Sequence, residues 1–186
     1  VDVFPVEDRL LVAHDRKDLN PQRDIVTVTL GPLSTWLEKH PSPPDAPLPQ
    51  VWLLIDVKTE GARSYELLRE IAPGHPLIFA SQRVGIVLSG ALASGAGREV
   101  VKRNPTAWAM VDGRQMDLDK PDDPVVRMPW ISESWLATVR WLGVGNFQET
   151  DRRQLRDWVE RAHRQGRRVR FWGAPDTPAI WEAQAK

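Results

Sequence analysis

The stretch ETDRRQLRDWVERAHRQGRRVRFWG, residues 149–173, decides the fold class of this 186-residue chain. Its first part places apolar side chains at helical spacing on one face, which predicts an amphipathic helix. Gly166 suits the C-terminal end of that helix, and an apolar strand follows immediately. A helix that leads directly into a strand is the repeating unit of an α/β protein. The residues of the apolar face are Leu155, Trp158, Val159 and Ala162.

Short apolar runs alternate with helical stretches over the rest of the chain, which predicts βα units around a parallel sheet. Helices with one core-facing stripe are predicted at residues 32–39 and 64–71. The proline-rich segment 41–50 is interpreted as a stiff surface connection between a helix and a strand. Six strands are predicted, at residues 1–6, 51–57, 84–89, 106–111, 125–130 and 167–172.

Length and composition predict one globular domain over residues 1–186, because a chain that is 41% hydrophobic and 27% charged can bury a single core. Lys and Arg together number 25, as do Asp and Glu, so no net charge attracts nucleic acid over distance. The basic segment 161–170 is therefore interpreted as a solvated helix face. No apolar run approaches the roughly 18 residues of a membrane-spanning helix. Cysteine is absent, which excludes thiolate chemistry. The localisation stays open between secreted, periplasmic and cytoplasmic, and the oligomeric state stays open as well.

Ionisable side chains stand at the ends of several predicted strands. Asp2 lies in the first strand, His14 follows the apolar run 10–13, and Asp56 with Lys58 ends the run VWLLIDVK. Ligands of parallel α/β folds bind at the C-terminal ends of strands, so these residues are candidates for a site. A carboxylate after four apolar residues needs a cation, a hydrogen-bond donor or a proton. Lys58 lies two residues beyond Asp56 and is predicted on the same face, in a site or in a structural ion pair.

This set of residue types suits a phosphodiester. Two carboxylates, Asp2 and Asp56, can hold a divalent cation such as Mg2+ or Ca2+, which prefers oxygen ligands. Lys58 adds positive charge where a phosphoryl transition state gains negative charge. His14 either protonates the leaving alkoxide or accepts a proton from an attacking hydroxyl or water, because imidazole exchanges protons near neutral pH. The sequence leaves both roles of His14 open.

A family resemblance joins these residues. VDVFPVEDRLLVAHD, residues 1–15, followed by LLIDVKTEG, residues 53–61, resembles the phosphatidylinositol phospholipase C and glycerophosphodiester phosphodiesterase superfamily, in the branch of altered inheritance of mitochondria protein 6 and its bacterial relatives. The resemblance implies a TIM-type (β/α)8 barrel and a glycerophosphodiester or phospholipid headgroup as substrate. It implies metal ligands at Asp2 and Asp56, a catalytic His14, and Lys58 beside the metal site. GIVLSGA, AWAMVDGR and VRFWGAPDTPAIWEA resemble later strands of the same barrel.

The same resemblance implies parts that this sequence does not contain. A second catalytic His and a metal-binding Glu would lie before Val1, and an eighth strand would lie after Lys186. We therefore expect an incomplete barrel without its first and last strands, and a fragment that is inactive by itself. Many relatives carry Glu where Asp56 stands, so the substrate preference is left open.

Other residues and other functions stay under consideration. Asp112 is interpreted either as a pocket residue or as a turn cap, and Trp130 and Trp172 as core side chains that could flank a ligand. Trp36 and Trp158 are predicted to pack in the core. One alternative function is a barrel without catalysis that serves as a binding or scaffold module. Another is a complete open-sheet α/β enzyme that acts on a small phosphorylated metabolite.

Overall fold

The structure, a computed structural model, describes residues 1–43, 45–119 and 127–185. It confirms the predicted α/β class, because parallel strands alternate with helices along the chain. The chain divides into two compact units, Val1–Val111 and a second unit that begins at Asp112.

The described part of the chain forms seven strands. β1 and β2 pair antiparallel as a hairpin, and all other strand pairs are parallel. The first unit has the strand order β2-β1-β3-β4-β5, and in the second unit the end of β5 pairs with β6, which pairs with β7. The strands are β1 Asp2–Val6, β2 Arg9–Val12, β3 Val51–Val57, β4 Val84–Gly90, β5 Ala109–Gly113, β6 Trp130–Ser134 and β7 Arg168–Trp172.

The helices follow the strands in the βα order that the sequence predicts. A π-helical turn, Val26–Leu30, leads into the first helix. None of the described helices combines the length and the hydropathy that crossing a membrane requires. The helices are α1 Gly31–Lys39, α2 Gly61–Ile71, α3 Pro76–Phe79, α4 Gly95–Arg103, α5 Trp135–Thr138, α6 Glu149–Arg164 and α7 Pro178–Ala185.

Three strands differ from their predictions. β2 is missing from the six predicted strands, because its two central residues are both buried and give no alternating pattern. β5 begins at Ala109 rather than at residue 106. Of the strand predicted at 125–130, residues 125 and 126 lie outside the described residues, and 127–129 are not in a strand. β6 instead begins at Trp130 and contains polar Ser132 and Glu133, which interrupt the apolar pattern typical of a buried strand.

The core of the first unit lies under one face of β3. Leu53, Ile55 and Val57 are buried, whereas the residues between them are only partly buried. These three side chains belong to the same apolar cluster as Leu37 of α1 and Leu67 of α2, which confirms the predicted stripes.

The prediction that Trp36 packs in the core is wrong. Its side chain is 43% exposed and stacks on His40 with 4.6 Å between the ring centroids, because it lies at the rim of the stripe.

The core of the second unit confirms the amphipathic helix from which the fold class was inferred. Trp158 of α6 is 1% exposed and meets Phe171 of β7 edge to face, with ring centroids 4.9 Å apart. Leu155 and Ala162 are buried in the same cluster. Gly166 follows the helix with φ +71°, a left-handed conformation that glycine adopts without strain.

Asp24 fixes the start of the π-helical turn and should make folding sensitive to acid. Its Oδ1 accepts a hydrogen bond from the backbone N–H of Thr27 at 2.9 Å, and its Oδ2 forms an ion pair with Arg9. Burial acts to raise the pKa of Asp24, but the Thr27 and Arg9 bonds outweigh burial and hold the pKa below its ordinary value. The stabilisation is therefore present above about pH 4 and is lost as the pH falls through the pKa of the folded state.

Asp24→Asn is expected to lower the free energy of unfolding by about 1–2 kcal/mol at pH 7, because the charged acceptor is lost. The difference from the wild type should shrink as the pH falls below about 4, where the wild-type carboxylate also becomes neutral. Urea denaturation at several pH values measures both effects. Asp18→Asn, an exposed site, is the control and should leave stability unchanged. A difference that stays constant down to pH 2 would contradict this account of Asp24.

Candidate functional site

The β1–β2 hairpin returns the chain to its own start and places His14 beside Asp2. Val3 pairs with Val12, and the backbone N–H of Ala13 donates to the carbonyl oxygen of Asp2 at 3.2 Å. The next residue is His14, whose Nδ1 lies 2.7 Å from Oδ2 of Asp2. The hairpin register therefore sets the contact between the imidazole and the carboxylate.

Parallel pairing of β1 with β3 places the two predicted carboxylates side by side. Asp2 and Asp56 are direct partners in the register. The backbone N–H of Asp56 donates to the carbonyl of Val1 at 2.8 Å, and that of Lys58 donates to the carbonyl of Val3 at 2.9 Å. Neighbouring partners in a sheet carry their side chains on the same face.

Lys58 bridges the two carboxylates. Its Nζ lies 2.8 Å from Oδ2 of Asp56 and 3.5 Å from Oδ1 of Asp2. This geometry confirms that Lys58 shares a face with Asp56. The structure thus brings four predicted residues into one cluster, His14–Asp2–Lys58–Asp56, which we call the candidate site.

The charges of the candidate site stabilise one another. Partial burial acts to raise the pKa of Asp2, but the hydrogen bond with His14 and the charge of Lys58 reverse this effect and lower the pKa below its ordinary value. For Lys58, burial acts to lower the pKa, and the bonds to Asp56 and the charge of Asp2 raise it above its ordinary value. Asp2 and Lys58 are therefore charged at neutral pH. His14 is 79% exposed and lies at the outer end of the cluster.

Gly90, at the end of β4, completes the wall behind Asp56. Its φ is +64°, and a Cβ built on it would overlap Oδ1 of Asp56 and the carbonyl oxygen of Val57. The absence of a side chain thus allows β4 to approach the carboxylate. Gly90 is not among the site residues predicted from the sequence. The available signal was a glycine directly after an apolar strand, at the strand end where the site was expected.

The residues present fit a divalent cation that takes only two ligands from the described part of the chain. Among residues 1–43, 45–119 and 127–185 no group of three or more His, Cys, Asp or Glu side chains could hold a metal ion. Asp2 and Asp56 supply two neighbouring carboxylates, each 30% exposed. Mg2+ commonly keeps several waters and binds through one or two carboxylates together with substrate phosphate. The chemistry of this donor pair therefore suits such an ion.

The other predicted residues lie in the second unit. Asp112 lies within β5, is fully buried and accepts a hydrogen bond from Ser132 Oγ at 2.5 Å. Trp130 is partly buried and is the register partner of Asp112. Trp172, at the end of β7, is 46% exposed, which contradicts its core assignment, because a terminal strand residue is covered on fewer sides. Roles of these three residues in a pocket stay predictions.

The first unit also contains an open apolar cavity of about 520 Å3. Trp52, Phe79 and Trp108 contribute its aromatic lining. None of the four candidate-site residues lines this cavity. The polar cluster and the apolar cavity are thus separate features of the unit.

The candidate site can hold a cation, present an ammonium group to an anion and exchange a proton through an exposed imidazole. Asp2 holds Nδ1 of His14, which leaves Nε2 for exchange with a bound molecule.

No family model, no curated protein and no solved structure matches this chain.

Proposed function

We propose that the chain carries part of the active site of a metal-dependent phosphoric diester hydrolase. The observation that supports this proposal is the convergence of His14, Asp2, Lys58 and Asp56. Hydrogen bonds and ion pairs join an imidazole, two carboxylates and an ammonium group. A glycerophosphodiester or a phospholipid headgroup is the proposed substrate class, through the family resemblance. A TIM-type barrel, here incomplete, is the proposed architecture on the same ground.

Each residue has a distinct part in the proposed reaction. Asp2 and Asp56 would hold Mg2+ or Ca2+, which when bound supplies positive charge to the non-bridging phosphate oxygens. Lys58 supplies further positive charge to the phosphate at the stage where negative charge accumulates. His14 exchanges a proton at Nε2 with the leaving or attacking oxygen, while Asp2 orients the imidazole through Nδ1.

The proposal is tested by measuring hydrolysis of a chromogenic phosphodiester and of a natural phospholipid by the natural-length protein. We expect turnover with Mg2+ or Ca2+ and none with excess chelator. Asp56→Asn should raise the cation concentration for half-maximal activity by about tenfold or more, because one of the ligand charges is lost. Asp8→Asn, in the exposed hairpin turn, is the matched control and should change nothing.

Turnover that survives the chelator would contradict the metal-dependent mechanism. A folded natural-length protein that hydrolyses neither substrate with any divalent cation would contradict the hydrolase proposal. That second result would favour a barrel that binds phosphodiesters without cleaving them.

A further inference from the structure

Two arginines of the second unit converge on one buried carboxylate. Nη1 of Arg114 lies 3.1 Å from Oδ2 of Asp112, and Nη1 of Arg170 lies 4.0 Å from the same oxygen. The other oxygen of Asp112 accepts the hydroxyl of Ser132 at 2.5 Å. The side chain of Asp112 is completely buried, and the two guanidinium groups and the Ser132 hydroxyl contact it.

The charges in this cluster do not balance. Asp112 carries one negative charge, and the two guanidinium groups carry two positive charges. Arg114 is held further by a bond from Nη1 to the carbonyl of Gly113 at 3.0 Å. The guanidinium group of Arg170 forms a long ion pair with Asp112. Within these three side chains one positive charge is in excess, and the guanidinium groups that carry it are partly exposed, Arg114 to 25% and Arg170 to 38%.

The strand register extends this cluster to an exposed aromatic ring. Ser132 of β6 pairs with Arg170 of β7, and Ser134 pairs with Trp172. Because strand side chains alternate, Arg170 and Trp172 lie on the same face of β7. Trp172 is 46% exposed. The same face thus offers two guanidinium groups and one indole ring to solvent.

We propose that this face of β5, β6 and β7 binds a phosphate group through Arg114 and Arg170. Guanidinium groups present planar pairs of N–H donors that match the oxygens of phosphate, and a buried carboxylate orients them at little entropic cost. Trp172 packs against the organic part of a phosphate ester. This site goes beyond the proposed hydrolase function, since it uses none of the residues of the candidate site.

Calorimetric titration of the full chain with inorganic phosphate and with glycerol phosphate, at constant ionic strength, tests the proposal. We expect saturable binding, and Arg170→Ala should weaken it by about tenfold or more, the usual loss for one charge-assisted contact. Arg170→Lys keeps the charge and should recover only part of the affinity. Arg153→Ala, on the exposed face of α6, removes the same charge elsewhere and should have no effect.

Equal losses in Arg170→Ala and Arg153→Ala would overturn the proposal, because they would indicate general charge attraction. Lack of saturable binding by the folded wild type would overturn it as well. Tighter binding of the ester than of inorganic phosphate would identify a phosphorylated organic molecule as the ligand, and equal binding would identify free phosphate. The titration measures binding without a divalent cation and without turnover, so failure of the hydrolase proposal and failure of this one are distinguished.

Discussion

His14→Ala is expected to lower kcat/KM of the natural-length protein for a phosphodiester by about 10²- to 10⁴-fold, the usual contribution of general acid–base catalysis. The loss follows from the position of His14, whose imidazole is held by Asp2 at 2.7 Å and is otherwise exposed. An exposed side chain contributes little to folding, so the free energy of unfolding should change by less than about 0.5 kcal/mol. Steady-state kinetics and urea denaturation measure the two quantities.

The leaving group distinguishes the two roles that the sequence leaves open for His14. If His14 is the acid, a substrate with a nitrophenol leaving group should lose less rate in His14→Ala than an alkyl diester, because nitrophenolate leaves without a proton. If His14 is the base, both substrates should lose the same factor. His163→Ala, an exposed imidazole on α6, is the control. Full activity in His14→Ala would remove this residue from the proposed mechanism.

Gly90→Ala is expected to lower the free energy of unfolding by about 3 kcal/mol. Part of this cost is the left-handed backbone conformation at φ +64°, which costs a residue with a Cβ about 1–2 kcal/mol. The rest is the overlap of the new methyl group with Asp56 Oδ1 and the Val57 carbonyl, a form of overpacking that costs about 1–3 kcal/mol. Because the carbonyl belongs to the backbone of β3, it cannot rotate away as a flexible side chain would.

Urea denaturation measures the effect of Gly90→Ala, and the hydrolase assay at a temperature where the variant is folded measures the displacement of Asp56. Gly74→Ala is a matched control, because no atom lies within 4 Å of its added Cβ. That control should be neutral or slightly stabilising. Equal stabilities of Gly90→Ala and the wild type would show that β4 does not press against the carboxylate.

The fold class could be predicted from sequence because its strongest signals are local. The apolar face of α6, Gly166 and the start of β7 lie within 25 consecutive residues, and the structure confirms each of them. β6 could not be predicted correctly, because Ser132 and Glu133 interrupt its apolar pattern. Ser132 occupies its strand because a hydrogen bond to Asp112 satisfies it, and a partner 20 residues away is invisible to a local pattern.

The four residues of the candidate site could be predicted from the sequence, but the residues that pack around them could not. Asp56 and Lys58 are two residues apart on one strand, so alternation alone places them together. Asp2 and His14 come together through the β1–β2 hairpin, whose second strand is absent from the predicted strands. Gly90 was not predicted, because its role depends on atoms of the neighbouring strand β3. Arg170 escaped prediction for the same reason, since within its basic segment it is indistinguishable from solvated residues.

The bridging position of Lys58 allows the candidate site to form without a bound cation. Two carboxylates on adjacent strands repel each other, and this repulsion opposes pairing of β1 with β3 while the chain folds. The ammonium group of Lys58 removes that conflict from within the same strand segment, at 2.8 Å and 3.5 Å from the two carboxylates. The lysine thus acts as a built-in counter-ion. Under the proposed function, a cation would meet a preformed site in which the ammonium group offsets one of the two carboxylate charges, and it would compete with that group rather than organise the strands itself.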